Sequence, residues 1–145
     1  MGDLKLTYQV DGGDLVQAGE ASSQMKMTLK KLGLPPEIIR KASVCMYEGE
    51  INMVIHADGG RVEVEVGMDA ITIRLIDQGP GIPDVDRAME EGYSTAGDVA
   101  RDLGFGAGMG LPNMKRYSDE MRIDTTVGVG TTVTMRIDIN NGRSE

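Results

Sequence analysis

Glu48 and Asn52 stand four residues apart, so on a helix their side chains leave one face a single turn from each other and reach the same site. A carboxylate there can orient and deprotonate a nucleophile, and an amide oxygen can ligate a hard cation. Taken alone, the pair reads more readily as the solvated face of an amphipathic helix. Asp77 closes a run with strand character and leads into Gly79-Pro80-Gly81, where a carboxylate can be held against a ligand; the same residue types also build an ordinary Asp-capped turn. Gly104, Gly106, Gly108 and Gly110 alternate ahead of a helical pattern carrying Met114 and Tyr117, so they open a helix N-terminus whose N–H groups and dipole suit an anion. They do not follow a strand, as a Rossmann glycine loop would, and no Walker Gly-Lys-Ser or Gly-Lys-Thr is present. Thr131 and Thr132, after Gly130, offer hydroxyls but also suit a strand as β-branched residues.

The neighbours of the Glu48/Asn52 pair have plainer readings. Helical geometry turns Glu50 about 160° away from Asn52, which predicts a surface position. His56 continues the stripe by one turn and reads as a helix-end histidine. Gly49 weakens a helix interior, which a close approach of the helix to a sheet or to a ligand would explain.

The elements that must position these residues follow from periodicity. Leu4, Leu6, Tyr8 and Val10 alternate with polar residues, the pattern of a first, edge strand with one buried face. Met25, Leu29 and Leu32 recur at helical spacing until Gly33, predicting a helix from about Leu15 to Leu32. Pro35 and Pro36 suit the start of a second helix, with Ile38, Ala42, Cys45, Gly49 and Met53 as its apolar stripe, running to about Ala57. After a turn at Asp58-Gly59-Gly60, Val62, Val64 and Val66, then Ile71, Ile73 and Leu75, predict an antiparallel hairpin. Thr131, Val133, Met135, Ile137 and Ile139 form one face of a last strand behind the Gly128-Val129-Gly130 turn. The fold class is therefore α/β (α+β), a two-layer sandwich whose mostly antiparallel mixed sheet carries helices on one face, and not a doubly wound sheet. Residues 83–108 hold one short helical piece among many glycines, which marks a lid or binding loop.

Bulk composition bounds the function. The chain of 145 residues makes a single domain, 1–145. A net charge of -8 argues against a nucleic-acid surface, which needs a Lys/Arg field. One cysteine, Cys45, excludes an internal disulfide and a Cys-based zinc cluster. Met1 to Val10 has no apolar signal core and no apolar run approaches membrane-spanning length, so a cytoplasmic protein without a membrane partner is expected. Leu6 stands where a myristoylation signal wants Ser or Thr. The 11 methionines supply adaptable core filler in a chain only 3% aromatic.

Read in order, Glu48-Gly49-Glu50-Ile51-Asn52, the run from Asp77 to Pro83 and the run from Gly104 to Leu111 resemble the nucleotide site of the GHKL ATPases, the family of gyrase, heat-shock chaperone, histidine kinase and mismatch-repair ATPase domains. The segment from Asp77 to Ala96, ending Gly92-Tyr93-Ser94-Thr95-Ala96, is most similar to the small serine kinases of bacterial anti-sigma and partner-switching systems. The resemblance spans roughly the whole chain. It implies ATP and Mg²⁺ as cofactors, with Asn52 on the Mg²⁺ and Glu48 as the base acting on the attacking hydroxyl or water. It implies that Asp77 accepts from the adenine amino group, with Gly79 and Gly81 close to the base and Ile82 packed on its face. Gly104, Gly106, Gly108, Met109, Gly110 and Leu111 would hold the phosphates, and a hydroxyl of Thr131 or Thr132 would serve the adenine, often through water.

Within that family, a histidine autokinase needs an acceptor His on a separate helical domain, and this chain has one His and no such domain. Gyrase-like and chaperone coupling domains are absent too. The resemblance therefore implies a serine/threonine kinase whose protein partner is a STAS-type antagonist, with a sigma factor as a further partner and a homodimer as a possible assembly. Gly106 and Ala107 depart from the pattern, since several anti-sigma kinases carry a basic residue just before the final glycines. Arg101, Lys115 or Arg116 would then supply the charge that phosphoryl transfer wants. The alternatives are a non-catalytic ATP-dependent interaction module and a sigma-factor-sequestering protein.

Overall fold

The computed structural model describes residues 4–12, 18–57, 59–82, 84, 85, 89 and 110–139, and of His56 the backbone alone. All of the expected lid except 84, 85 and 89 lies outside these residues, as do Gly104, Gly106, Gly108, Met109, Arg101, Ser94 and Thr95. The described elements follow the predicted order: β1 (Leu4–Asp11), α1 (Glu20–Lys31), α2 (Pro36–His56), β2 (Gly59–Val66), β3 (Ala70–Asp77), α3 (Gly110–Tyr117), β4 (Glu120–Thr126) and β5 (Gly130–Asp138).

The five strands form one sheet in the order β1-β2-β3-β5-β4, every neighbouring pair antiparallel, with β1 at an edge as its alternation predicts. The register fixes which side chains share a face: Val62 lies opposite Leu75, which lies opposite Val133, and Val64 lies opposite Ile73, which lies opposite Met135. These residues are buried under the helices together with Met25, Leu29, Cys45, Met46 and Met114. The other face carries exposed or half-exposed ion pairs such as Arg61–Glu63 at 3.0 Å and Arg136–Asp138 at 2.8 Å, which keep it polar and add little stability. The result is the two-layer sandwich expected from the sequence.

Element ends depart from expectation in three places. The first helix starts at Glu20 instead of near Leu15, because Gly19 adopts the left-handed region at φ 97° and ends any helical continuation toward Ala18. Gly59 and Gly60 belong to β2 rather than to a turn. Both take positive φ, and a side chain on Gly60 would strike the Ile76 carbonyl, so only glycine lets β2 pass here. Gly130 likewise opens β5.

The largest correction concerns Glu50. It is 2% exposed, not a surface residue. Its Oε2 accepts from the N–H groups of Gly19 (3.0 Å) and Ala21 (3.2 Å), and its Oε1 from the N–H and hydroxyl of Ser22 (3.0 and 2.7 Å). The helix start of α1 has no cap from its own N-cap side chain, so a carboxylate 28 to 31 residues away in sequence does that work. The charge is met by four donors and by the positive end of the α1 dipole, which is what makes burial tolerable. Helical geometry did turn Glu50 away from Asn52, but the far side of α2 is covered by α1.

Cys45 ties α2 to α3: its buried thiol donates to the Met114 carbonyl at 3.6 Å. Burial, with the nearby negative charge of Asp119 adding to it, pushes this thiol up to about 12, so it is inert as a nucleophile at neutral pH.

Replacing Glu50 by Ala strands buried N–H groups at the start of α1, and should destabilise the protein by about 2–4 kcal/mol in urea unfolding. The exposed neighbour substitution Glu20→Ala should change stability by less than about 0.5 kcal/mol.

Candidate functional site

The site is organised by α2, whose successive faces meet different neighbours. Toward the sheet, Gly49 lies on Leu75: a β-carbon there would come within 2.5 Å of the Leu75 side chain, so glycine is what lets the helix approach β3. Toward α1 the helix presents Glu50. Toward α3 it presents Glu48 and Asn52, both partly buried and one turn apart, as the i,i+4 spacing predicts.

The first turn of α3 touches both of them. Asn113 Nδ2 donates to Glu48 Oε2 at 3.1 Å. Gly110 lies against the amide of Asn52: a β-carbon on it would stand 2.9 Å from Nδ2 and 3.0 Å from Oδ1. Leu111 and Met114 anchor the helix in the core, which leaves its start facing the α2 pair. The helix resumes the described chain at Gly110, with the expected glycine alternation immediately before it. Lys115 and Arg116 are exposed on the last turn of α3.

The second half of the site lies where β3 ends. Asp77 Oδ1 accepts from the N–H of Gly79 (2.9 Å) and of Thr131 (3.2 Å), joining the turn after β3 to the start of β5. Gly79 packs on the C-terminal end of α2, where a β-carbon would come within 2.7 Å of Ala57 Cα. Gly81 sits at φ 81°, and a side chain there would press on the Thr126 backbone. These glycines are thus required by chain-to-chain packing, whatever else approaches them. Ile82 is partly buried against the core, and its N–H donates to Thr125 Oγ1 at 2.9 Å. Thr125 and Thr131 hydroxyls pair at 2.8 Å, and Gly128 N–H donates to the Pro80 carbonyl at 2.8 Å, so the β4–β5 turn is tied to the Asp77 turn from both sides. Thr131 is buried and Thr132 half-buried on the other face of β5.

The structure therefore gathers two groups on one rigid helix. Glu48 and Asn52 meet α3, and the Asp77 turn abuts Ala57, roughly 13 Å along the helix axis from Glu48 and roughly 7 Å from Asn52 at 1.5 Å per residue. Asn113, Thr125 and Glu50 were missed in the sequence. Asn113 had a usable signal, falling on the helix that the glycines open; Thr125 had none, since its role comes from strand pairing.

Residues 44–141 match the family of histidine kinase-, DNA gyrase B-, and HSP90-like ATPases. The chain belongs to that family. Among its relatives, the serine/threonine-protein kinase RsbT of Bacillus subtilis is 33% identical over 108 residues, 72% of this chain and 75% of the relative. An anti-sigma F factor of Clostridium beijerinckii is 31% identical over 129 residues, 83% of this chain and 87% of the relative. The mycobacterial sensor histidine kinase MprB shares the fold, with a TM-score of 0.53 at 16% identity over 93% of this chain and 97% of that one. Expectation and finding agree on the family and on the kind of relative.

Gly110→Ala places a methyl against the Asn52 amide and must displace it. The affinity for Mg²⁺-ATP in calorimetry should fall about tenfold or more, with the unfolding midpoint little changed.

Proposed function

We propose that the chain is an ATP-dependent serine/threonine kinase of the partner-switching type, acting on a STAS-like regulator. The observation that carries this reading is the meeting of Glu48 and Asn52 with the first turn of α3. A base, a cation ligand and a helix start suited to phosphates then stand together, in a chain similar to a named serine/threonine kinase.

Asp77 selects adenine. Both of its backbone bonds fall on Oδ1, which leaves Oδ2 to accept from the exocyclic amine. Gly79, Gly81 and Ile82 form the wall beside the base, with the Thr125–Thr131 hydroxyl pair at its edge; Thr132, expected to share that role, points to the opposite face of β5 and is not part of it. Gly110 and the N–H of Leu111, at the start of α3, form the described part of the phosphate side; Gly104, Gly106, Gly108 and Met109 lie outside the described residues.

Mg²⁺ fits the donor set. Asn52 offers one amide oxygen beside the start of α3, which suits an ion that takes one or two protein oxygens and otherwise uses phosphates and water. When bound it would neutralise charge on the phosphates. Glu48 takes the proton of the incoming hydroxyl as its oxygen forms the bond to the γ-phosphorus; the bond from that phosphorus to the bridging oxygen breaks and ADP leaves. Lys115, exposed on α3, is the candidate cation among the described residues for a chain that has Gly106 and Ala107 ahead of its last glycines.

The names of the anti-sigma F relatives support a second partner, a sigma factor. Among the described residues no helix is long and apolar enough to cross a membrane.

Glu48→Ala should lower transfer of labelled γ-phosphate from ATP to a STAS-type regulator by about 10²–10⁴-fold while leaving ATP affinity in place. Undiminished transfer, or loss of ATP binding, would count against Glu48 as the base.

A further inference from the structure

The start of α3 engages the two polar side chains of α2 with two residues of its own. Gly110 covers the Asn52 amide, and Asn113, three residues on and so on the same helical face, donates to Glu48 Oε2 at 3.1 Å. A glutamate has three rotatable bonds and, left alone at a half-open site, samples many orientations. The Asn113 amide restrains it through one oxygen, Oε2, and does so with a neutral donor. A lysine or arginine in the same place would hold the carboxylate as firmly but would stabilise its charged form and make it a poorer proton acceptor.

We propose that Asn113 is a positioning residue for the phosphoryl transfer: it fixes the Glu48 carboxylate so that Oε1 faces the incoming hydroxyl. This rests on Glu48 being the base. Because Asn113 and Gly110 belong to one turn of α3, the element that would receive the phosphates also sets the geometry of the base and of the cation ligand.

The test uses the full chain in excess over γ-labelled Mg²⁺-ATP, with water in place of the protein hydroxyl as nucleophile, so that one turnover is followed without a protein partner. Asn113→Ala should slow hydrolysis about tenfold to a hundredfold with the dissociation constant for Mg²⁺-ATP unchanged. Asn113→Gln, whose longer amide can still donate, should recover part of the rate. In a Glu48→Gln background Asn113→Ala should cause no further slowing, since the group it positions is already gone. Equal slowing in both backgrounds, no slowing at all, or an effect confined to ATP affinity would overturn the positioning role. The ¹⁵N side-chain signal of Asn113 gives an independent reading, because Glu48→Gln must shift it if the bond exists in solution; an unmoved signal overturns the inference. If Glu48→Gln leaves the wild-type rate intact, it is the base assignment that fails, and the positioning role falls with it; where water proves too poor an acceptor for the wild type to turn over, the same series is run as transfer to a STAS-type regulator.

Discussion

Everything in this site depends on how closely α2 lies on β3. Gly49 permits that distance, because a β-carbon at this position would come within 2.5 Å of the buried Leu75 side chain and force it or the helix to shift. Once α2 is seated, its rotation about its own axis is fixed, and the rotation assigns each polar residue its task. Glu48 and Asn52 turn toward α3, Glu50 toward α1, and Ala57 receives the Asp77 turn at the helix end. Glycine is a poor helix former, so the position carries a propensity cost of about 1 kcal/mol that tertiary packing offsets.

Two glutamates only two residues apart show how far environment outweighs residue type. Glu48 is partly buried and, among the described residues, accepts from the neutral amide of Asn113. Glu50 is sealed beneath α1 with four donors saturating its oxygens, and it has no capacity left for chemistry. One carboxylate is kept available and the other is consumed in holding the helix layer together.

Much of this was legible in the chain. Alternation in β1, β2, β3 and β5 and helical spacing in α2 gave the sheet, its edge strand and the helix layer, because one-sided burial imposes its period on the sequence. The i,i+4 pair and the Asp77 turn were legible for the same reason: their geometry is local. Glu50 was misread because a carboxylate facing away from a site on a helix is ordinarily solvated, and nothing local to residues 48–52 announces that α1 needs a cap. Thr125 and Asn113 act across 43 and 65 residues of sequence, in their bonds to Ile82 and Glu48, distances over which only the assembled fold decides what meets what. Gly79 and Gly81 were read for ligand approach, and the structure adds a requirement of its own, their contact with Ala57 and Thr126.

The central claim is that α2, α3 and the Asp77 turn together form one adenine-nucleotide site, and thermal unfolding with ADP, ATP and GTP, each with and without Mg²⁺, tests it most directly. Beside the wild type, Asp77→Asn would exchange an acceptor for a donor at the proposed adenine contact, and Asn52→Ala would remove the proposed cation ligand. A ligand at a hundredfold excess over its dissociation constant stabilises the fold by about 2.7 kcal/mol. The account predicts that shift for the adenine nucleotides and not for GTP, its loss in Asp77→Asn, and loss of its Mg²⁺ dependence in Asn52→Ala. Equal stabilisation by GTP, or no stabilisation of the wild type by any nucleotide, would contradict it.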